Sequence, residues 1–156
     1  MLRRARPEDA NELAVILRTA MRGAMPSLAE PHTPDEDRRF LRDAVLPNEE
    51  VWVVEVDGRP VGFAALGSRD GEEYLQHLYV APKFQGGGLG SKLIDHAKSR
   101  RRAGFRLWVF QRNDGARRFY EKHGLHVVEL TDGSGNEERE PDALYEWVPQ
   151  ELVFKR

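Results

Sequence analysis

The stretch Tyr74–Lys98, YLQHLYVAPKFQGGGLGSKLIDHAK, reads as a strand, a glycine-rich turn and a helix that begins inside the glycines. Leu75, Leu78, Tyr79 and Val80 form a short β-prone apolar run, and Pro82 ends it by removing a backbone donor. After Gly86, Gly87 and Gly88, apolar residues return at helical spacing as Leu89, Leu93, Ile94 and Ala97. Such a turn aims several unpaired N–H groups at one spot, at the positive end of a helix dipole, and so suits a phosphate or pyrophosphate. Glycines let that ligand approach the main chain with no Cβ in the way.

Outward from this stretch the chain alternates strands and helices. Leu2 to Ala5 predicts a short edge strand, and Pro7, Glu8 and Asp9 open a helix reaching about Arg22, with Ala10, Leu13, Ile16, Leu17 and Ala20 on its apolar face. Thr33-Pro34-Asp35-Glu36 has the form of a capping box, starting a second helix that Pro47-Asn48 should stop. Val51 to Val56 and Val61 to Leu66 form a hairpin around Asp57-Gly58, and Gly67 to Gly71 makes the next turn before the strand Glu72 to Val80. Strands at Arg106–Phe110, Leu125–Leu130 and Ala143–Val148 follow, with a helix at Asp114–His123 and a polar loop at Thr131–Glu140. Trp52, Trp108 and Trp147 are spaced as strand core residues.

The order β α α β β β α β α β β predicts an α/β (α+β) protein. It should have one mixed, mostly antiparallel twisted sheet of about seven strands with helices on both faces. The strand after the glycine-turn helix should lie parallel to the one before it, by a right-handed crossover. A chain of 156 residues fits one domain, here 1–149, with a short tail at 150–156.

Composition narrows the function. A net charge of -2 gives no electrostatic case for nucleic acid or an anionic membrane surface, and no apolar run approaches the length of a membrane span. The basic N-terminus has no apolar segment behind it, so no secretion signal is read and a cytoplasmic location is expected. With no cysteine there is no disulfide, thiol nucleophile or thiolate metal site. His123 and His126 straddle a helix end without further ligands at metal spacing, so no metal is expected.

Three nucleotide loops compete for the glycines. A Walker-type loop ends in Gly-Lys-Ser/Thr, whereas Gly90 is followed by Ser91-Lys92. The dinucleotide fingerprint needs a glycine where Ser91 stands, and this stretch comes late in the chain after three antiparallel-looking strands. Gln85-Gly86-Gly87-Gly88-Leu89-Gly90 instead matches Gln/Arg-x-x-Gly-x-Gly. LYVAPKFQGGGLGSKLI resembles the acyl-CoA-binding core of the GCN5-related N-acetyltransferases (GNAT family), and Asn113 to Gly124 resembles that family's second CoA-contacting segment.

The resemblance implies the acyl-CoA N-acyltransferase fold and acetyl transfer from acetyl-CoA to an amine by direct attack through a tetrahedral intermediate. It implies that Gln85, Gly86, Gly87, Gly88, Leu89, Gly90 and Ser91 hold the CoA pyrophosphate, and that Leu78, Tyr79 and Val80 pair with the pantetheine arm through free backbone groups. Asn113, with Ala116 and Phe119 on the same segment, would meet that arm as well. Tyr120 falls where the family places the tyrosine that hydrogen-bonds the CoA sulfur and protonates the leaving thiolate. A phenol near ~10 stays protonated at neutral pH while a thiol near ~8.5 leaves, so Tyr120 suits hydrogen-bond donation with late transfer.

The base is the gap in this pattern. The strand positions where relatives often carry Glu or His fall on Tyr74 and Gln76, neither a good base. Strand alternation would put His77 on the face opposite Gln76, which leaves Glu73, through a water chain, as the candidate. The acceptor amine, the size of the acyl group and the oligomeric state stay open, a homodimer being what many relatives form. The competing reading is a non-catalytic acyl-CoA-binding or regulatory domain, which the missing strand carboxylate would suit.

Overall fold

The structure, a computed structural model, describes residues 1–150. Its seven strands form one sheet in the order β1-β2-β3-β4-β5-β7-β6. These are β1 Leu2–Arg4, β2 Glu50–Val56, β3 Arg59–Arg69, β4 Glu72–Val80, β5 Phe105–Phe110, β6 His126–Leu130 and β7 Asp142–Trp147. The pairs are antiparallel except β4–β5, which are parallel and joined by the helix α4 (Leu89–Arg100), as the crossover predicts.

Helix α1 (Ala10–Ala24) buries Ala10, Leu13, Ala14, Ile16 and Ala20 on one stripe. Helix α2 (Pro34–Phe40) starts at the expected capping box: Glu36 N–H donates to Thr33 Oγ1 at 3.1 Å and Thr33 N–H to Glu36 Oε1 at 2.8 Å. Such a cap is worth about 1 kcal/mol. The helical segment ends at Pro47-Asn48 as expected, but not as one regular helix. The helix widens into a π turn over Leu41–Val45, in which Leu46 N–H reaches back to Leu41 O, and continues as the short α3 (Leu46–Asn48). The wide turn skips one donor, so the missing N–H of Pro47 falls where the ladder is already interrupted.

Two apolar layers cover the sheet. One cluster joins α4, and Ala116, Phe119 and Tyr120 of α5 (Asp114–Lys122), to Val54, Val61, Ala64, Leu66, Leu75 and Val80. The other joins α1, Leu41 and Val45 to Val51, Val53, Phe63, Ala65 and, at its margin, Tyr79. Tyr145, fully buried in the first cluster, hydrogen-bonds Arg117 and Glu121 at its hydroxyl.

Three expectations need correction. The turn read over Gly67 to Gly71 is only Asp70-Gly71, with β3 running on to Arg69. Both turn residues take positive φ, 50° and 79°, the pattern of a two-residue hairpin whose twist matches its strands. Trp108 is not core: Leu107 and Val109 point into the first cluster, and the period of two sends Trp108 to the other face, 37% exposed. The third concerns β4. Ala65 pairs with His77 but Leu66 with Leu75, so Gln76 is an extra residue in a β-bulge. Leu75 therefore shares a face with Leu78 and Val80, while His77 turns to Phe40, Phe63 and Tyr79. Gly67, one residue past Leu66, faces the second layer, and a Cβ there would lie 3.5 Å from Gln76 Cγ. Gln76 and His77 thus lie on one face, contrary to simple alternation.

Candidate active site

Strands β4 and β5 are paired at Tyr74 and Arg106 and part beyond them. The split opens a groove of ≈ 1400 Å³ that continues from the glycine turn, past Leu78 and Asn113, to the end of α1 and the β6–β7 loop. Leu78, Tyr79, Val80, Gln85, Gly86, Gly88, Gly90, Ser91, Asn113, Ala116, Phe119 and Tyr120 all line it, so widely separated positions of the sequence meet on one surface. Gly87 and Leu89 do not line the groove; Leu89 packs against the first apolar cluster.

At one end, Gly86 and Gly88 take φ of +84° and +88°, and a Cβ added at either would meet nothing within 4 Å. The space a side chain would fill is open, and α4 begins directly behind it with Gly88 as its N-cap. No side chain caps those first N–H groups, which suits them to an anion. Gln85 ties the turn to β4, its Nε2 donating to Val80 O at 2.9 Å. Ser91 Oγ lies 3.0 Å from His123 Nε2. A diphosphate fits this cradle, which supplies backbone donors with room in front of them.

In the middle, Asn113 lines the groove and caps α5, its Oδ1 accepting from Ala116 N–H at 3.2 Å. Tyr120 is only 8% exposed, and burial pushes its phenol well above the ordinary value. A hydroxyl held protonated so firmly is a donor and not a nucleophile.

At the far end stand Arg69, Gln76, His77, Tyr79, Glu138 and Asp142. Burial, helped by Arg69, pushes the His77 imidazole down to about 4, and its Nδ1 is buried without a partner among the described residues. Burial pushes Tyr79 up to about 12, with the Glu138 carboxylate adding to the effect. Asp142 is held by Thr131 Oγ1 and by Asn136 Nδ2 at 3.1 Å. Glu73 lies elsewhere: it accepts from Ser68 Oγ at 2.5 Å and Arg101 Nε at 2.6 Å, bonds that hold its carboxyl below the usual range, and it does not line the groove. The acidic loop Glu137, Glu138, Glu140 and Asp142 reads in the sequence as a solvated hairpin that could attract a cationic acceptor, whereas sequence reasoning did not single out Arg69 or the end of α1 for this site. They arrive through tertiary approach of segments with no motif of their own.

A backbone anion cradle and a buried phenol lie along a split between parallel strands, the arrangement that the resemblance to an acyl-CoA-binding fold leads one to expect. Comparison with known proteins agrees. Residues 47–126 match the family model described as an acetyltransferase (GNAT) domain. Peptidyl-lysine N-acetyltransferase YiaC of Escherichia coli K12 is 36% identical over 90 residues, 58% of this chain and 59% of YiaC. An uncharacterized N-acetyltransferase of Archaeoglobus fulgidus is 31% identical over 147 residues, covering 87% of this chain and 99% of that protein. The PaiA N-acetyltransferase of Thermoplasma acidophilum, solved in complex with coenzyme A, shares the fold with a TM-score of 0.77 over 96% of this chain and 98% of its own, at 21% identity. The chain belongs to the GNAT acetyltransferase family. Its activity is that of an acetyl-CoA-dependent N-acetyltransferase.

Proposed function

We propose that this protein, with residues 1–149 as its catalytic unit and the cytoplasm as its location, acetylates a primary amine on a lysine side chain of a protein or peptide. The observation that carries the reading is the groove itself, open at the glycine cradle, floored by Tyr120 and walled by Glu138 at the opposite end. The name of YiaC supports lysine as the acceptor class, and a carboxylate beside the exit suits a cationic side chain.

In this mechanism the Gly86–Gly90 main chain holds the diphosphate, and the parted edge of β4 offers Leu78 and Val80 backbone groups to the pantetheine arm. The neutral amine attacks the thioester carbon, the C–N bond forms, the C–S bond breaks, and the Tyr120 hydroxyl protonates the departing sulfur. With an unperturbed phenol, full transfer to a free thiolate would be uphill by roughly 2 kcal/mol, and burial of Tyr120 increases that cost. Tyr120 therefore contributes mainly through a hydrogen bond that strengthens as charge develops on sulfur.

The test is CoA thiol release from acetyl-CoA across a panel of lysine peptides, free amino acids and small polyamines. Turnover with lysine peptides above the other amines supports the proposal. Silence with every amine while CoA still binds replaces it with the non-catalytic binder.

A further inference from the structure

An ammonium acceptor must shed a proton before it can attack; of the groove's carboxylates, Asp114 sits in the first turn of α5 and Glu138 at the exit, where its charge suits the incoming cation. Asp142 is engaged by Thr131 and Asn136, and Glu73, off the groove, by Arg101 and Ser68. His77 holds a proton too weakly, and Tyr79 stays neutral.

One carboxylate directly behind the groove is not engaged. Glu49 ends the helical segment α2–α3; its N–H closes the last turn on Val45 O at 2.9 Å, and its extended backbone leads into β2. The side chain is partly buried, and its Oε1 is buried with no hydrogen-bond partner among the described residues. It packs over Gly67, where a Cβ would lie 3.2 Å from Glu49 Cγ and 3.5 Å from both Cγ and Nε2 of Gln76. Glu49 and Gln76 thus share the space left by a missing side chain, and the bulge that makes Gln76 the extra residue of β4 turns it to this face. Gln76 and Arg69 line the groove. Arg69 on β3 is the charged group that Glu49 feels; His77 on β4 feels the same guanidinium, and Tyr79 beside it is a further titratable group of this face. Burial outweighs Arg69 and pushes the Glu49 carboxyl up to about 7.

We propose that Glu49, acting past Gln76, is the residue that receives the proton shed by the acceptor amine. This rests on the amine-acetylation reading above. The proton balance closes: the ammonium gives one proton by way of the Gln76 gap to Glu49, and from there to solvent. After attack the nitrogen gives a second, which ends on the CoA sulfur by way of Tyr120. Glu49 touches neither thioester nor CoA, so it is a positioning and proton-accepting residue, and its removal should alter the pH profile while sparing CoA affinity.

The experiment compares wild type, Glu49→Gln and Glu138→Gln by kcat and kcat/KM from pH 5.5 to 9 on the best amine, with CoA affinity by calorimetry. Wild-type kcat/KM should rise through a limb near pH 7, because the carboxylate form is the active one. E49Q should lose that limb and about 10²-fold in kcat with CoA affinity unchanged. E138Q should raise the amine KM and keep the limb. Should E49Q fail to fold, Glu49→Asp keeps the carboxylate but shortens its reach, and it must displace the limb. An active wild type whose limb survives E49Q, stays in place in E49D, or disappears instead in E138Q, overturns the role of Glu49 alone. A wild type that acetylates no amine overturns the acetylation reading, and this one with it.

Discussion

Glu49→Gln also has a consequence that needs no substrate. In the folded protein burial pushes the Glu49 carboxyl up from its ordinary 4.5 to about 7, with Arg69 offsetting part of the effect. A folded value above the unfolded one means that folding favours the protonated form. Wild-type stability is therefore greatest, as far as this group is concerned, below about pH 4.5, falls as pH rises to about 7, and stays reduced above it. At full effect the penalty is ~3 kcal/mol; discounted for a carboxyl partly open to solvent, about 1–2 kcal/mol is expected. Gln has the same shape and no charge to desolvate. Urea unfolding should show E49Q more stable than wild type by about 1–2 kcal/mol at pH 8, roughly 2–8 °C in Tm for a chain of this size, with little difference at pH 5. A difference independent of pH, or wild type the more stable at pH 8, would refute the claim that Glu49 carries an uncompensated charge. A gain in stability joined to a loss of turnover is the pattern of a strained functional group.

Tyr120→Phe should lower turnover by about 10²-fold with CoA affinity nearly unchanged; an unaltered kcat removes Tyr120 from the reaction. Gly88→Val should abolish CoA binding in calorimetry, because its Cβ and methyls enter the open space of the cradle and its φ of +88° disfavours any side chain. Glu50, bonded to Arg100 at 2.6 Å, Trp52 at 2.7 Å and Arg101 at 3.2 Å, has its carboxyl held down to about 2. Its stabilising contribution is complete above about pH 4.5 and is lost as pH falls toward 2, so wild type and Glu50→Gln should converge in urea stability on acidification. Gly104→Ala should cost several kcal/mol in the same assay, since its Cβ would lie 2.5 Å from the main-chain oxygen of Trp147 at a φ of +114°.

What could be read from the sequence was whatever is carried by local pattern. The glycine run, the capping box at Thr33 and the apolar spacing in α1 and α4 each state their own conformation, and together they order the sheet. Most of the groove's donor end followed, because Gln85 to Ser91 and Asn113 to Tyr120 are contiguous segments. Trp108 misled because the apolar strand Arg106–Phe110 looks the same whether one face is covered or two, and only the parting of β4 from β5 decides that. The bulge at Gln76 was illegible for a related reason. Nothing in Leu75-Gln76-His77 announces an unpaired residue, which exists only relative to the register of Ala65 and Leu66 on the facing strand.

Glu49 and Glu50 sharpen the point. They are the same residue type, adjacent, and indistinguishable by composition, yet one carboxyl is pushed up to about 7 and the other down to about 2. At the entry to β2 the backbone sends one side chain over Gly67 toward the bulge, where no donor meets its buried oxygen, and the next to Arg100 and Arg101 at the end of α4. Two carboxylates whose surroundings drive their affinities for a proton apart are suited to different tasks. Glu50 ties β2 to the helix behind the glycine cradle, so it holds the donor site in place. Glu49 keeps a lone pair free beside the acceptor end of the groove. The position the family resemblance left to Gln76 therefore need not carry the carboxylate itself: a neutral side chain on the bulge leaves that task to Glu49, the residue before β2.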